Sequence, residues 1–264
     1  MSWLYARTVT IQAYVINLRS RADRRIEFER KHRHLRLDFK YIEAVDGASL
    51  DTTAHFSPPN VAACWLSHQK VAELLLATDD EFALVLEDDA ILDFRIMDLV
   101  NRESELSAVK LDLFQVGYNI QANRVASGHK DSSLRTRLML LCLMDRIIER
   151  IPIIHSNFCK THNIHTILNL PHPCVLGLFE TGTHAYIISR NLARIIVRFN
   201  NPVLLPADIA LCEIAKLENV NMARPSSTFS KQSDSTSSIF EISNEVMETN
   251  IAKATERVIN DYCH

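Results

Sequence analysis

Residues 82–93, FALVLEDDAILD, limit the folds open to this chain more than any other stretch. The run Phe82-Ala83-Leu84-Val85-Leu86 is short and apolar at both odd and even positions, the pattern of a strand covered on both faces. A strand of that kind belongs to an α/β sheet with helices above and below. The run stops at Glu87-Asp88-Asp89. Three adjacent carboxylates repel one another, and a cation among them relieves the repulsion. Hard oxygen ligands suit Mg²⁺ or Mn²⁺, and either ion can hold a substrate diphosphate. A solvated turn after a strand has the same composition, so the triplet by itself leaves both readings open.

The segments around it agree on α/β architecture. Residues 11–18 (IQAYVINL) read as a first strand, residues 22–34 as an Arg-rich helix, and residues 39–45 (FKYIEAV) as a second strand closed by the Asp46-Gly47 turn. A β-α-β start implies a right-handed crossover and a parallel sheet, with ligands beyond the carboxyl ends of the strands. After Pro58 and Pro59, residues 60–77 read as a helix with Asn60 as N-cap. Ser67 and His68 lie inside it, and His68 taken alone reads as a structural histidine first. A helix over 97–108 and a buried strand over 111–116 follow. Further on come a helix from Arg190 to about 199, a short helix holding Cys212 and a strand at 220–223.

With 264 residues, 47% of them hydrophobic, the chain can bury a full core. Its net charge of −3 argues against nucleic acid as a partner. Arg19, Arg21, Arg24, Arg25, Arg30, Lys31, Arg33 and Arg36 crowd the N-terminal region, whereas residues 79–105 are rich in acids. Two such segments facing each other across a cleft can hold phosphates and a metal; two solvated faces give the same pattern. Six widely spaced cysteines form no disulfide framework and are expected to be mostly buried thiols of a reducing cytoplasm. No stretch reads as a signal peptide or a bilayer span, which implies a soluble or peripheral protein. Residues 134–154 form an amphipathic pattern that fits either a helix on the sheet or one lying on a membrane surface. The His and Cys residues at 155–174 do not have zinc-site spacing. Residues 226–238 read as a Ser/Thr-rich flap or linker, and 244–261 as a last helix.

The blocks YVINLRSRADRR, FKYIEAVDG, ACWLSHQKV and FALVLEDDAIL, followed by LDLFQVG, GTHAYIISR, PADIAL and ARPSSTFSKQSDS, occur in an order that resembles glycosyltransferase family 25. That family comprises the lipooligosaccharide-type galactosyltransferases and their collagen-modifying relatives. The resemblance implies a GT-A type, Rossmann-like α/β fold with a mostly parallel sheet. Residues 1–240 would form one catalytic domain, with 119–178 as a variable insert on the acceptor side and the C-terminal helix packed against it. It also implies an Mn²⁺ or Mg²⁺ cofactor, a UDP-sugar donor (usually UDP-galactose) and inversion at the anomeric carbon. The acceptor would be a glycolipid or oligosaccharide of lipooligosaccharide or lipopolysaccharide, reached from the cytoplasm, with peripheral contact with the inner membrane. By position, Asp89 and Asp88 fall on the metal motif, with Glu87 beside them. Asn17, Arg21 and Arg24 fall on the nucleotide-side block, Asp46 on the A-x-D-G turn, Ser67 and His68 on the C-x-x-S-H helix, and Gln232 on a late glutamine. Asn60 and Ala63 stand where the family commonly has glycines.

Displacement with inversion requires a carboxylate to take the acceptor's proton. Asp208, in the PADIAL block, is the first candidate and Glu180 the second. Each can instead cap a helix. His184, with Thr183 beside it, is a candidate further metal ligand, with a structural or acceptor-binding role as the alternative. Two other functions fit the same residues: a noncatalytic nucleotide-sugar or glycan-binding relative, and metal-dependent phosphoester hydrolysis. The second lacks a second carboxylate-histidine set for a two-metal site.

Overall fold

The computed structural model describes residues 11–51, 57–118, 174–176, 182–217, 220–225 and 228–233. Glu180, most of the insert at 119–178 with its amphipathic segment and His/Cys cluster, and the expected C-terminal helix lie outside the described residues.

The chain begins β1 (Gln12–Asn17), α1 (Ala22–His32) and β2 (Phe39–Glu43). β1 pairs in parallel with β2 on one side and with β3 (Phe82–Glu87) on the other, which is the crossover expected from the sequence. The remaining strands are β4 (Ala90–Leu92), β5 (Leu113–Gly117), β6 (Cys174–Leu176), β7 (Ala185–Ser189), β8 (Met222–Pro225) and β9 (Ser230–Gln232). The main sheet has the order β2-β1-β3-β7-β5-β8-β6, and β9 joins β4 to the end of β5. β7 runs antiparallel to both β3 and β5, and β6 antiparallel to β8, so the other five strands of that path share one direction. The fold is a mixed α/β structure around a mostly parallel sheet.

Period-two alternation explains the layers. Tyr14, Ile16, Ala83, Val85, Tyr186 and Ile188 point to one face, into a core built with α2 (Pro59–Ala77), α5 (Arg190–Ile196) and α6 (Ala207–Ala215). Ala13, Val15, Leu84, Leu86, Ala185 and Ile187 point to the other, against Phe28 of α1 and Ile96, Leu99 and Leu106 of α3 (Ile96–Leu99) and α4 (Glu103–Ala108). Burial on both faces is why FALVL carries no polar residue.

Three local expectations are corrected. Pro58, not Asn60, precedes α2, whose first helical residue is Pro59; proline suits that position because it has no N–H to leave unpaired. The helix expected over 97–108 is two short helices, interrupted at residues 100–102. The segment read as a flap contains strand β9, hydrogen-bonded to β4. At the far end of α2, the Arg190 guanidinium donates to the carbonyls of Leu76, Thr78 and Asp80, so a cation closes the helix C-terminus. Among the described residues no helix is long and apolar enough to cross a membrane.

His32 ties α1 to β4. Its Nδ1 lies 2.7 Å from the Phe28 carbonyl, and its Nε2 accepts from the Leu92 N–H at 2.9 Å, which requires a neutral ring protonated on Nδ1. Burial, opposed by the Phe28 carbonyl and assisted by the charges of His34 and Lys31, lowers its pKa from 6.5 to about 4. The unfolded chain therefore binds the extra proton first. Stability contributed by His32 is complete above pH 6.5 and is lost as pH falls towards 4, by about 3 kcal/mol at most. In urea titrations, His32→Leu should cost about 1–3 kcal/mol at pH 7, because the Leu92 N–H loses its acceptor. The same variant should flatten the stability change between pH 7 and pH 4.5.

Candidate active site at the acidic end of strand β3

The carboxyl end of β3 gathers side chains from segments far apart in sequence. Asn17, the last residue of β1, is buried and donates from Nδ2 to Asp88 Oδ2 at 2.7 Å and to the Arg21 carbonyl at 3.1 Å. Arg24, one turn into α1, pairs through Nη1 with Asp88 Oδ1 at 2.9 Å. The strand and the helix that follows it thus fix Asp88 from two directions. Arg21 is more exposed and pairs with Asp23 at 2.7 Å; the charge of Asp88 also acts on it. A surface pair of this kind contributes little to stability and leaves the guanidinium easy to redirect.

Glu87 faces the opposite way. Its Oε1 accepts from Thr183 Oγ1 at 2.5 Å and lies 3.5 Å from His68 Nε2, while His68 Nδ1 is 2.8 Å from the Tyr186 hydroxyl. Burial opposes ionisation of Glu87, but the His68 and Thr183 hydrogen bonds and the charge of His184 outweigh it and hold the carboxyl below its usual range. Asp89 goes the other way. Burial and the charge of Glu87, with a further contribution from Asp88, push it up to about 6, against the Gln232 amide, which donates to Oδ2 at 3.0 Å, and the charge of Arg24. The Ser233 N–H donates to the Asp89 carbonyl at 2.9 Å, so β9 grips both the backbone and the side chain. The carboxylate oxygens of Asp88 and Asp89 are donors of the kind a hard divalent cation takes, but Asp88 is held by Asn17 and Arg24, and among the described residues the three ligand side chains whose donor atoms come within 4.8 Å of one another are Cys64, His68 and Glu87, not Asp88, Asp89 and His184.

His184 opens β7. Its carbonyl accepts from the Glu87 N–H at 3.0 Å and its ring is 1% exposed. Neither ring nitrogen has a hydrogen-bond partner of good geometry among the described residues. Burial lowers the ring's pKa, while the charge of Glu87 and the nearby backbone of Ser230 pull the other way. The turn into this strand depends on Gly182, whose φ of 119° is open to glycine alone, and whose carbonyl accepts from the Gln115 amide at 3.1 Å.

Space for the imidazole comes from Gly117. A Cβ there would stand 2.3 Å from His184 Nε2 and 2.9 Å from Ser230 Cβ. Gly117→Ala is therefore expected to destabilise the protein by about 1–3 kcal/mol in chemical denaturation, since either the ring or the β5–β7 pairing must shift.

The other residues singled out in the sequence are spread around this centre. Asp46 accepts from the Ala48 N–H at 3.0 Å and caps a 3₁₀ turn over Gly47–Ser49. A Cβ on Gly47 would lie 2.3 Å from Asn60 Oδ1, so the Asn60 side chain fills the space against this turn in place of a second glycine. Ser67 Oγ donates to the Ala63 carbonyl and accepts from the Val45 N–H, joining α2 to the end of β2. Among the described residues neither Asp46 nor Ser67 hydrogen-bonds to the triplet. Asp208, half-buried in the first turn of α6, accepts from the Ile209 N–H at 2.9 Å. Its charge, with those of Glu87 and Asp89, acts on the Cys64 thiol.

Two contributors were given no role by the sequence, although Cys64 is the cysteine of the C-x-x-S-H motif. Tyr186 is an apolar-looking position in AYIIS, and its hydroxyl role needs the β3–β7 pairing to be seen. Cys64, expected among buried thiols, is exposed, unlike Cys174 and Cys212. Desolvation and the charges of Glu87, Asp208 and Asp89 push its pKa well above the ordinary thiol range.

A comparison with curated proteins gives no match. The model of glycosyltransferase family 25, described as an LPS biosynthesis protein family, matches residues 10–211, a span that takes in the acidic triplet, both basic residues facing it, Thr183, His184 and Asp208. Because that match covers most of the chain, the protein belongs to glycosyltransferase family 25.

Proposed function

We propose that this protein is an inverting, metal-dependent glycosyltransferase that moves galactose from UDP-galactose onto a saccharide of lipooligosaccharide or lipopolysaccharide. Residues 1–240 would form the catalytic domain, working at the cytoplasmic face of the inner membrane where its glycolipid acceptor is built. The observation that carries this reading is the gathering of Asn17, Arg24, Thr183 and Gln232 around Glu87-Asp88-Asp89 in a family 25 chain.

Asp89, Asp88 and His184 would hold Mn²⁺ or Mg²⁺, which when bound neutralises charge on the departing diphosphate. Arg21 and Arg24 donate to phosphate oxygens on the nucleotide side; for Arg24 this means sharing or releasing Asp88. Glu87, kept ionised by His68 and Thr183, orients both of those side chains towards the donor sugar. Asp208 takes the acceptor hydroxyl's proton as the new C1–O bond forms and the bond from C1 to the diphosphate oxygen breaks, releasing UDP. Glu180 is the second candidate for that base.

Calorimetric titration of UDP, with and without Mn²⁺, on the wild type and on Asp89→Ala tests the donor half directly. Mn²⁺-dependent binding that disappears in the variant is the expected result. Absence of UDP binding by the wild type under both conditions would sink the reading and leave a noncatalytic relative that kept the fold.

A further inference from the structure

One cluster shares Glu87 and His68 with this mechanism and adds to them a thiol that the mechanism does not use, Cys64. Cys64 and His68 are four residues apart on α2 and so lie on one face of the helix, which brings them to the end of β3. A Cys64 sulfur, a His68 ring nitrogen and a Glu87 oxygen lie within 4.8 Å of one another. We propose that Cys64, His68 and Glu87 form a thiolate-containing cation site that takes Zn²⁺, separate from the hard-metal position at Asp89.

The donor chemistry sets the choice of ion. Sulfur, imidazole and carboxylate together are a zinc set, whereas Mn²⁺ and Mg²⁺ prefer oxygen. Tetrahedral zinc with bonds of about 2.0–2.3 Å places its ligand atoms about 3.5 Å apart, the separation already present between His68 Nε2 and Glu87 Oε1. His68 is already oriented for the task. With Nε2 as ligand, Nδ1–H donates to the Tyr186 hydroxyl at 2.8 Å, the outer hydrogen bond that fixes the tautomer of a metal-bound histidine. Binding releases the Cys64 proton, and the thiolate and the Glu87 carboxylate then balance the two charges of the ion. Cys64 is open to solvent, which gives the ion a way in and leaves a fourth position for water. Since Glu87 would serve this ion while flanking Asp88 and Asp89, bound zinc should also weaken donor binding. That consequence rests on the transferase reading; the binding itself does not.

Cobalt(II) added to the full chain tests the site without any assay of transfer. The wild type should show a thiolate-to-cobalt charge-transfer band and the strong visible bands of tetrahedral cobalt, both displaced by Zn²⁺. Cys64→Ser, at an exposed position and with folding checked by circular dichroism, should lose the charge-transfer band. Tyr186→Phe should weaken zinc binding by about ten- to a hundredfold. Asp89→Asn should keep the band, which separates this site from the donor metal whatever the fate of the transferase reading. No band in the wild type, or a band that survives Cys64→Ser, overturns the proposal.

Discussion

Asp89→Asn is expected to give a protein that is more stable than the wild type and nearly inactive. The two effects share one cause. Burial and the charges of Glu87 and Asp88 raise the Asp89 carboxyl to about 6, so the folded state holds its proton at pH values where the unfolded chain, with an ordinary carboxyl near 3.8, has lost it. As pH rises from 4 to 6 this costs stability, and above pH 6 the full penalty of up to about 3 kcal/mol is present. An amide carries no such charge. In metal-free buffer at pH 7.5 the variant should therefore unfold at higher urea than the wild type, with the gain gone by pH 4. Its backbone stays in place, because the β4–β9 pairing and the Ser233 N–H hold it without help from the carboxylate. With Asp89 as a ligand of the proposed ion, its loss should lower sugar transfer by on the order of a hundred- to a thousandfold. Saturating Mn²⁺ should stabilise the wild type and leave the variant unmoved. A variant that is less stable at pH 7.5, or that keeps a tenth of wild-type transfer, would show that Asp89 is neither charge-strained nor the ion's ligand.

Local pattern carried much of the architecture. FALVL announced a doubly covered strand because each of its five positions faces a core, and IQAYVIN with FKYIE announced the parallel pair flanking α1. The acidic triplet was visible as charge ending an apolar run. Its partners were not visible in the same way, because the contacts depend on strand order. Thr183 meets Glu87, and Tyr186 meets His68, only because β7 inserts antiparallel beside β3, ahead of β5. Gln232 meets Asp89 only because β9 returns to β4. No periodicity in one segment encodes which distant segment lies next to it. The block order of the family supplied that grouping for Asn17, Arg24, His184 and Gln232. It included Gly117, the last residue of LDLFQVG, without giving it a role; that role is the imidazole it makes room for. The break between α3 and α4 was missed for a different reason: Val100 is buried and continues the apolar pattern, so the sequence reads as one helix across a turn.

Asp208→Asn should separate a base from a helix-start residue. Asp208 sits in the first turn of α6, where an ionised carboxylate meets the positive end of the helix dipole and accepts from the Ile209 N–H. Asparagine keeps an oxygen for that hydrogen bond and gives up only the charge, so the fold should lose no more than about 1 kcal/mol. As the group that takes the acceptor's proton, however, the carboxylate has no substitute in an amide, and kcat should fall by on the order of a hundred- to ten-thousandfold. Because Asp208 lies in the first turn of α6, whereas Asn17 and Arg24 reach Asp88 from β1 and α1, the affinity for UDP with Mn²⁺ should not change. A large loss in kcat with unchanged donor affinity and an intact fold, together with loss of the rise of kcat with pH that deprotonation of a base gives, is the combination expected of a base. If kcat stays within tenfold of the wild type, Asp208 merely starts its helix, and the proton must go to Glu180 or another carboxylate on the acceptor side.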